Sequence, residues 1–169
     1  MISSSAVSPV LAIFYVAVRV KFLPKFKLTR EIFMYILSGI VMAWIVSIIN
    51  VLISGRDISL AQGILRTPPP YYYLNLFLLI FWGPFLEEIL FRGYFFELFR
   101  QKSNDVKALL VTSLLFVIPH GIWGSFDINL FFIFLNSSVF TLMYIQGGLI
   151  TSIMIHAFVN FYLLYLNMG

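Results

Sequence analysis

Three short runs in this chain set acid–base and polarising side chains inside otherwise apolar sequence. FLEEILFRG (residues 85–93) carries Glu87, Glu88 and Arg92, FVIPH (116–120) ends in His120, and HAFVN (156–160) holds His156 and Asn160. Both histidines of the protein are among them. On a helix, Glu88 and Arg92 are four apart, share a face and can form an ion pair. Glu87 is turned about 100° from Glu88 and is expected to point elsewhere. The arginine would then neutralise one carboxylate and leave its neighbour free. Phe116 and His120, and His156 and Asn160, have the same spacing, so each pair shares a face. These residue types suit the hydrolysis of an amide. A carboxylate withdrawn from bulk water can act as general base on a water molecule, and histidine and amide donors can stabilise the oxyanion as it develops. Taken singly, each has an ordinary structural explanation: a packing histidine, an i,i+4 ion pair, an asparagine bridging two helices. Their joint occurrence points to chemistry.

The elements that hold these residues follow from composition. The chain has 169 residues, 61% hydrophobic and 11% charged, with a mean hydropathy of +0.97. A soluble domain is about 45–50% apolar and about 25% charged, so lipid must be part of the solvent. A span needs about 20 apolar residues, which leaves room for about six. The expected architecture is an all-α, polytopic integral membrane bundle of about six transmembrane helices. It forms a single membrane domain over residues 1–169, multi-pass in the cell membrane, with the bilayer as a partner. The absence of cysteine excludes disulfides, thiolate metal sites and cysteine nucleophiles. There is no basic face of the kind a nucleic-acid partner requires.

Along the chain, residues 2–18 read as a short, serine-rich first span interrupted by Pro9. No Lys or Arg precedes Arg19, so the basic start of a signal peptide is missing. A second span covers Ile32 to Ile53, with Gly39, Ala43 and Ser47 forming a small-residue stripe that lets another helix approach closely. The polar connection 54–70 closes on three prolines, followed by Tyr71, Tyr72 and Tyr73 as an interfacial aromatic belt. The third span then runs to about Phe99, roughly 43 Å of helix against a hydrocarbon core of ~30 Å. Its middle falls near Phe85–Glu87. Pro84 cannot bond the carbonyl of Ile80, which predicts a kink or restart where the carboxylates begin. The fourth span runs from Val106 to Pro119–His120–Gly121. The fifth covers Ile128 to Ile145, with Asn136, Ser137 and Ser138 in its interior. Gly147–Gly148 turns the chain into the sixth, which ends near Leu166. Ionisable groups at such depth are expensive and face a bundle interior or a wet cavity. With Arg92 set apart, the first three loops carry five, two and three Lys or Arg and the others none. Alternate loops sum to eight against two, which places the 19–30 and 100–107 loops in the cytoplasm and both termini opposite.

In this order and on separate spans, Glu-Glu-x-x-x-Arg, Phe-x-x-x-His and His-x-x-x-Asn resemble the motifs of the CPBP family of intramembrane proteases. These Abi-type proteins include CAAX prenyl proteases and bacteriocin-processing enzymes. All three motifs are intact, and the resemblance covers about residues 72–166. Residues 1–70 match only generic spans. The resemblance implies that Glu87 is the catalytic glutamate and that Glu88 and Arg92 are its paired companions. It implies that His120 helps to hold the attacking water and that His156 and Asn160 bind the oxyanion. The implied activity is an intramembrane endopeptidase acting on a membrane-associated peptide or protein tail, with no cofactor expected. The short chain favours leader, signalling or bacteriocin-related peptides over a prenylated tail.

Other readings remain open. Glu87, His120 and His156 supply three possible zinc ligands with a position left for water, although no H-E-x-x-H helix is present. The same fold also serves a non-catalytic immunity or scaffold protein that binds a membrane partner. A small transporter using Glu87 and His156 as proton carriers is a third reading, but the chain lacks the repeat symmetry usual in transporters.

Overall fold

The computed structural model describes residues 29–55, 62–64, 66–123 and 126–168. The expected first span, 2–18, and all but the end of the basic 19–30 segment lie outside the described residues. Helix α1 is Arg30–Ser54. Thr29 starts it, its hydroxyl accepting the N–H of Ile32 at 3.3 Å, and Glu31 lies where the positive end of the helix dipole favours a carboxylate. Gly55 ends it at φ 80°, a left-handed conformation that suits glycine. The buried stripe of α1 is Ile36, Gly39, Ala43 and Ser47, as the small-residue spacing predicts. A Cβ at Gly39 would collide with Ile155 and Met143, so the glycine sets the approach of two later helices. The other faces expose Phe33, Leu37, Val41 and Trp44, which suits contact with lipid.

Helix α2 runs from Tyr71 to Arg100 and changes hydrogen-bond register twice. π-helical segments at Leu78–Trp82 and Ile89–Phe96 flank an α-helical piece, Gly83–Glu88. Such insertions are frequent at functional sites. Pro84 falls in the first turn of the central piece, where its missing N–H is tolerated. The N–H of Gly83 bonds the carbonyl of Leu78, five residues back. In that widened register the carbonyl Pro84 cannot serve is that of Leu79. The gap expected at Ile80 is thus displaced by one residue.

Helix α3 is Asp105–Trp123. Asn104 caps it, accepting the N–H of Lys107 at 3.0 Å. It contains Pro119 and continues beyond the Pro119–Gly121 end expected from sequence, since membrane helices accommodate a proline when neighbouring groups satisfy the freed backbone. Helix α4 is Asn129–Gly147 and α5 is Leu149–Met168. Between them Gly148 sits at φ 78°, which permits the tight turn.

All five helices are long and apolar enough to cross a membrane, and no strand occurs among the described residues. The protein is an all-α, multi-pass bundle. Helix α1 packs on α4 and α5, α3 on α4, α4 on α5, and α2 on both α3 and α5. The core cluster is Ala43, Val139, Phe140, Met143, Ile155 and Val159, drawn from α1, α4 and α5. Against this core lie the polar groups of α2 and α5.

Candidate active site

Glu88 and Arg92 are both fully buried and joined by a 2.8 Å bond from Arg92 Nη1 to Glu88 Oε1. The expected ion pair is therefore present, and more groups hold it than the spacing alone implies. Arg92 Nη2 donates to the carbonyl of Ser137 at 2.7 Å and to its hydroxyl at 2.6 Å. Its Nε donates to Thr141 Oγ1 at 3.2 Å. The guanidinium also lies 4.9 Å from the ring centre of Phe116 and 5.4 Å from that of Phe140, within the range of cation–π attraction. Ser137 and Thr141, one turn apart on α4, form a cradle that sequence reasoning did not assign. Their i,i+4 spacing inside an apolar span was the available signal.

His156 joins the two carboxylates. Its Nδ1 lies 2.8 Å from Glu88 Oε1, and its Nε2 lies 3.7 Å from Glu87 Oε2. A carboxylate oxygen can only accept, so the Nδ1 atom carries the proton in the first contact. The second separation is too long for a direct hydrogen bond. The two side chains do leave α2 in different directions, yet they meet opposite edges of one imidazole, whose nitrogens span the angle between them. The ring is held by Phe140, stacked at 4.6 Å, and by Phe116, edge-on at 5.7 Å.

The two carboxylates differ in what they contact. Glu88 Oε1 accepts from both Arg92 and His156, while its Oε2 has no partner. The neighbouring Ser152 hydroxyl donates instead to the carbonyl of Leu149 at 3.0 Å. Glu87 is partly exposed, with 38% of its side chain accessible, yet its Oε2 atom is shielded and also unpartnered. Glu87 lines a cavity of about 720 Å³ together with Gly63, Ile64, Asn75, Leu79 and Asn160. Ile64 and Leu164 of α5 form a buried cluster against which Tyr72, Leu76, Leu79 and Ile80 of α2 pack. Residues of the polar connection therefore form one wall of the groove, a closure no local sequence signal announced.

Asn160 Nδ2 donates to the carbonyl of Leu79 at 3.0 Å, the group left open by the register change at Pro84. His120 lies farther out. Its Nδ1 donates to the carbonyl of Phe116 at 2.8 Å, and its ring lies 4.8 Å from that of Phe116. No hydrogen bond or ion pair joins it to Glu87 among the described residues. The structure thus brings together Glu87, Glu88, Arg92, His156 and Asn160, and relates His120 to them through the Phe116 ring. Among the described residues no three of His, Asp and Glu form a metal-ligating group, so Glu87, His120 and His156 do not converge as a ready-made triad.

Fold and site together define a multi-pass membrane protein whose ionisable groups meet between its spans. The family profile described as type II CAAX prenyl endopeptidase Rce1-like matches residues 69–162. The chain belongs to this Rce1-like family, and membership makes it a membrane protease by class. No curated protein and no solved structure matches the chain.

Proposed function

We propose that the protein is an intramembrane endopeptidase in which Glu87 activates water against a peptide bond. One observation carries this reading. A shielded, unpartnered carboxylate oxygen faces His156 Nε2 across 3.7 Å, at a cavity wall, beside a second carboxylate already held by Arg92. Glu87 also lines the cavity, so a water held there lies within reach of its carboxylate. Glu87 takes a proton from this water as its oxygen attacks the carbonyl carbon, then returns that proton to the leaving amine. His120 is the second holder of the water. Its Nδ1 proton is committed to Phe116 O, which leaves Nε2 with a lone pair to accept a water proton.

The tetrahedral oxyanion takes hydrogen bonds from His156 Nε2–H and from the Asn160 amide, which has a second N–H beyond the one given to Leu79. His156 donates from Nε2 when it carries both ring protons. Glu88 orients the ring through its contact with Nδ1, as a buried carboxylate does for a catalytic histidine. No cofactor takes part in this scheme. The substrate is a membrane-associated peptide or protein tail. The family description names CAAX prenyl endopeptidases, and a prenylated tail is one member of that class. The 19–30 and 100–107 loops face the cytoplasm in this reading. The test is Glu87→Gln, nearly isosteric, assayed against a library of membrane-associated peptides. The expected loss is about 10²–10⁴ in rate, the usual worth of a general base. Wild-type turnover in the folded variant removes Glu87 from the role.

A further inference from the structure

Helix α4 presents a row of hydroxyls to α2. Ser137, Thr141 and Tyr144 are four and three apart, the spacing that puts side chains on one helix face. Each bonds the second π-helical segment of α2, Ile89–Phe96, or the residue that follows it. Arg92 gives three of these bonds, from Nη2 to the carbonyl and hydroxyl of Ser137 and from Nε to Thr141 Oγ1. The Thr141 hydroxyl donates its own proton to the Ser137 carbonyl at 3.0 Å, which leaves its lone pairs to the guanidinium. Farther along, the Tyr144 hydroxyl donates to Glu97 Oε1 at 2.8 Å, and its ring meets buried Phe96 edge-on at 5.6 Å. On a straight α-helix Arg92 and Glu97 would lie about 140° apart around the axis. A turn closed by i→i+5 bonds brings residues five apart towards one face, and here both reach α4.

What α4 holds is linked to the reacting groups through a single atom. Arg92 Nη1 and His156 Nδ1 both bond Glu88 Oε1, each at 2.8 Å. On its other edge the His156 ring faces Glu87. The same helix α4 stacks Phe140 on the imidazole at 4.6 Å. A guanidinium fixed in depth and angle thus sets where the shared oxygen lies, and that oxygen sets the ring. We propose that Ser137, Thr141 and Tyr144 are positioning residues for the hydrolysis: they hold α2 in its π-helical register and thereby aim the His156 ring at Glu87. This rests on the reading of Glu87 as the base and His156 as an oxyanion donor.

The protein has two histidines, so isotopically labelled histidine gives two imidazoles to follow by NMR in detergent micelles. The signals lost in His120→Gln assign the remaining ring to His156. Thr141→Val keeps the volume and removes the acceptor of Arg92 Nε. Tyr144→Phe keeps the ring against Phe96 and removes the bond to Glu97. Each is expected to shift the His156 signals, while those of His120, bonded within its own helix, stay in place. Thr141→Ser returns the hydroxyl and restores the His156 signals. On a membrane-associated peptide that the wild type cleaves, Thr141→Val and Tyr144→Phe lower kcat by about 10², the cost of a small misplacement of reacting groups. KM is unchanged, and Thr141→Ser recovers most of the loss. His156 signals that do not move, or a kcat that does not fall, overturn the proposal even where the variants are less stable. If Thr141→Val fails to accumulate in membranes, Tyr144→Phe decides by the same two measurements. Glu87→Gln separates this proposal from the reading beneath it: full activity there removes Glu87 as the base, and the His156 signals still decide the role of α4.

Discussion

Replacing Glu88 with glutamine removes one negative charge and almost no volume, so its effect isolates the electrostatics of the site. Arg92 stays where it is, fully buried, still held by Ser137 and Thr141, but without its counter-charge 2.8 Å away. His156 Nδ1 also loses a charged acceptor at 2.8 Å. Glu87 offers little compensation, being partly exposed and 3.7 Å from His156 Nε2, on the other side of the ring from the lost acceptor. Breaking a buried pair by removing one partner costs about 3–5 kcal/mol. Glu87→Gln leaves the Glu88–Arg92–His156 network intact, since Glu87 makes no hydrogen bond to it among the described residues, and should cost far less. The two variants are compared by unfolding in mixed detergent micelles, with the mutants expressed and purified in parallel. Glu88→Gln should unfold far earlier. Adding Arg92→Met to it should recover much of the loss, since the stranded charge is gone. Equal unfolding midpoints for Glu87→Gln and Glu88→Gln would refute the division of the two carboxylates into a held one and a free one.

Asn160→Ala removes the partner of the Leu79 carbonyl and an oxyanion donor together. It should destabilise by about 1–3 kcal/mol and, in the folded fraction, slow peptide hydrolysis by about 10²–10³; loss of stability alone, with normal turnover, takes Asn160 out of the chemistry. Gly63→Trp fills the groove from a position with open space around it. Discrimination against peptides with bulky side chains should rise by about tenfold or more while small ones are spared, and an unchanged preference places the peptide elsewhere. The water mechanism predicts that chelators leave activity intact and that purified protein carries no stoichiometric zinc. Activity lost to a chelator and restored only by zinc would make Glu87, His120 and His156 ligands instead.

Much of the bundle is legible in the sequence because lipid leaves few choices. Runs of apolar residues near the length of a bilayer become α1 to α5, and Gly39, Ala43 and Ser47 become the buried stripe of α1. The pairing of Glu88 with Arg92 follows from helical spacing alone. Other features depend on contacts between distant parts of the chain, which periodicity does not encode. Pro84 signals a disturbance, but the π-helical register is stabilised where Asn160, 81 residues after Leu79, donates to the Leu79 carbonyl. The convergence of Glu87 and Glu88 on His156 requires α5 to be seated against α2. The wall made by Gly63 and Ile64 requires the connection to fold back over α2, where a polar segment of sequence predicts only a loop.

A binding protein and an enzyme place different demands on these same groups. A scaffold needs surface shape and gains nothing from a shielded carboxylate oxygen without a partner. Here Glu87 and Glu88, adjacent in sequence, both face one histidine, on a helix whose register is twice interrupted. Sites that must act on a transition state retain polar groups in this way, aimed at charge that appears only during reaction. Removing the Glu87 charge should therefore leave stability nearly unchanged, because the pair held by Arg92 and His156 is Glu88, while activity is lost. A scaffold predicts the reverse pairing for Glu87→Gln, with function kept in cells at normal membrane expression, because a groove of unchanged shape still binds.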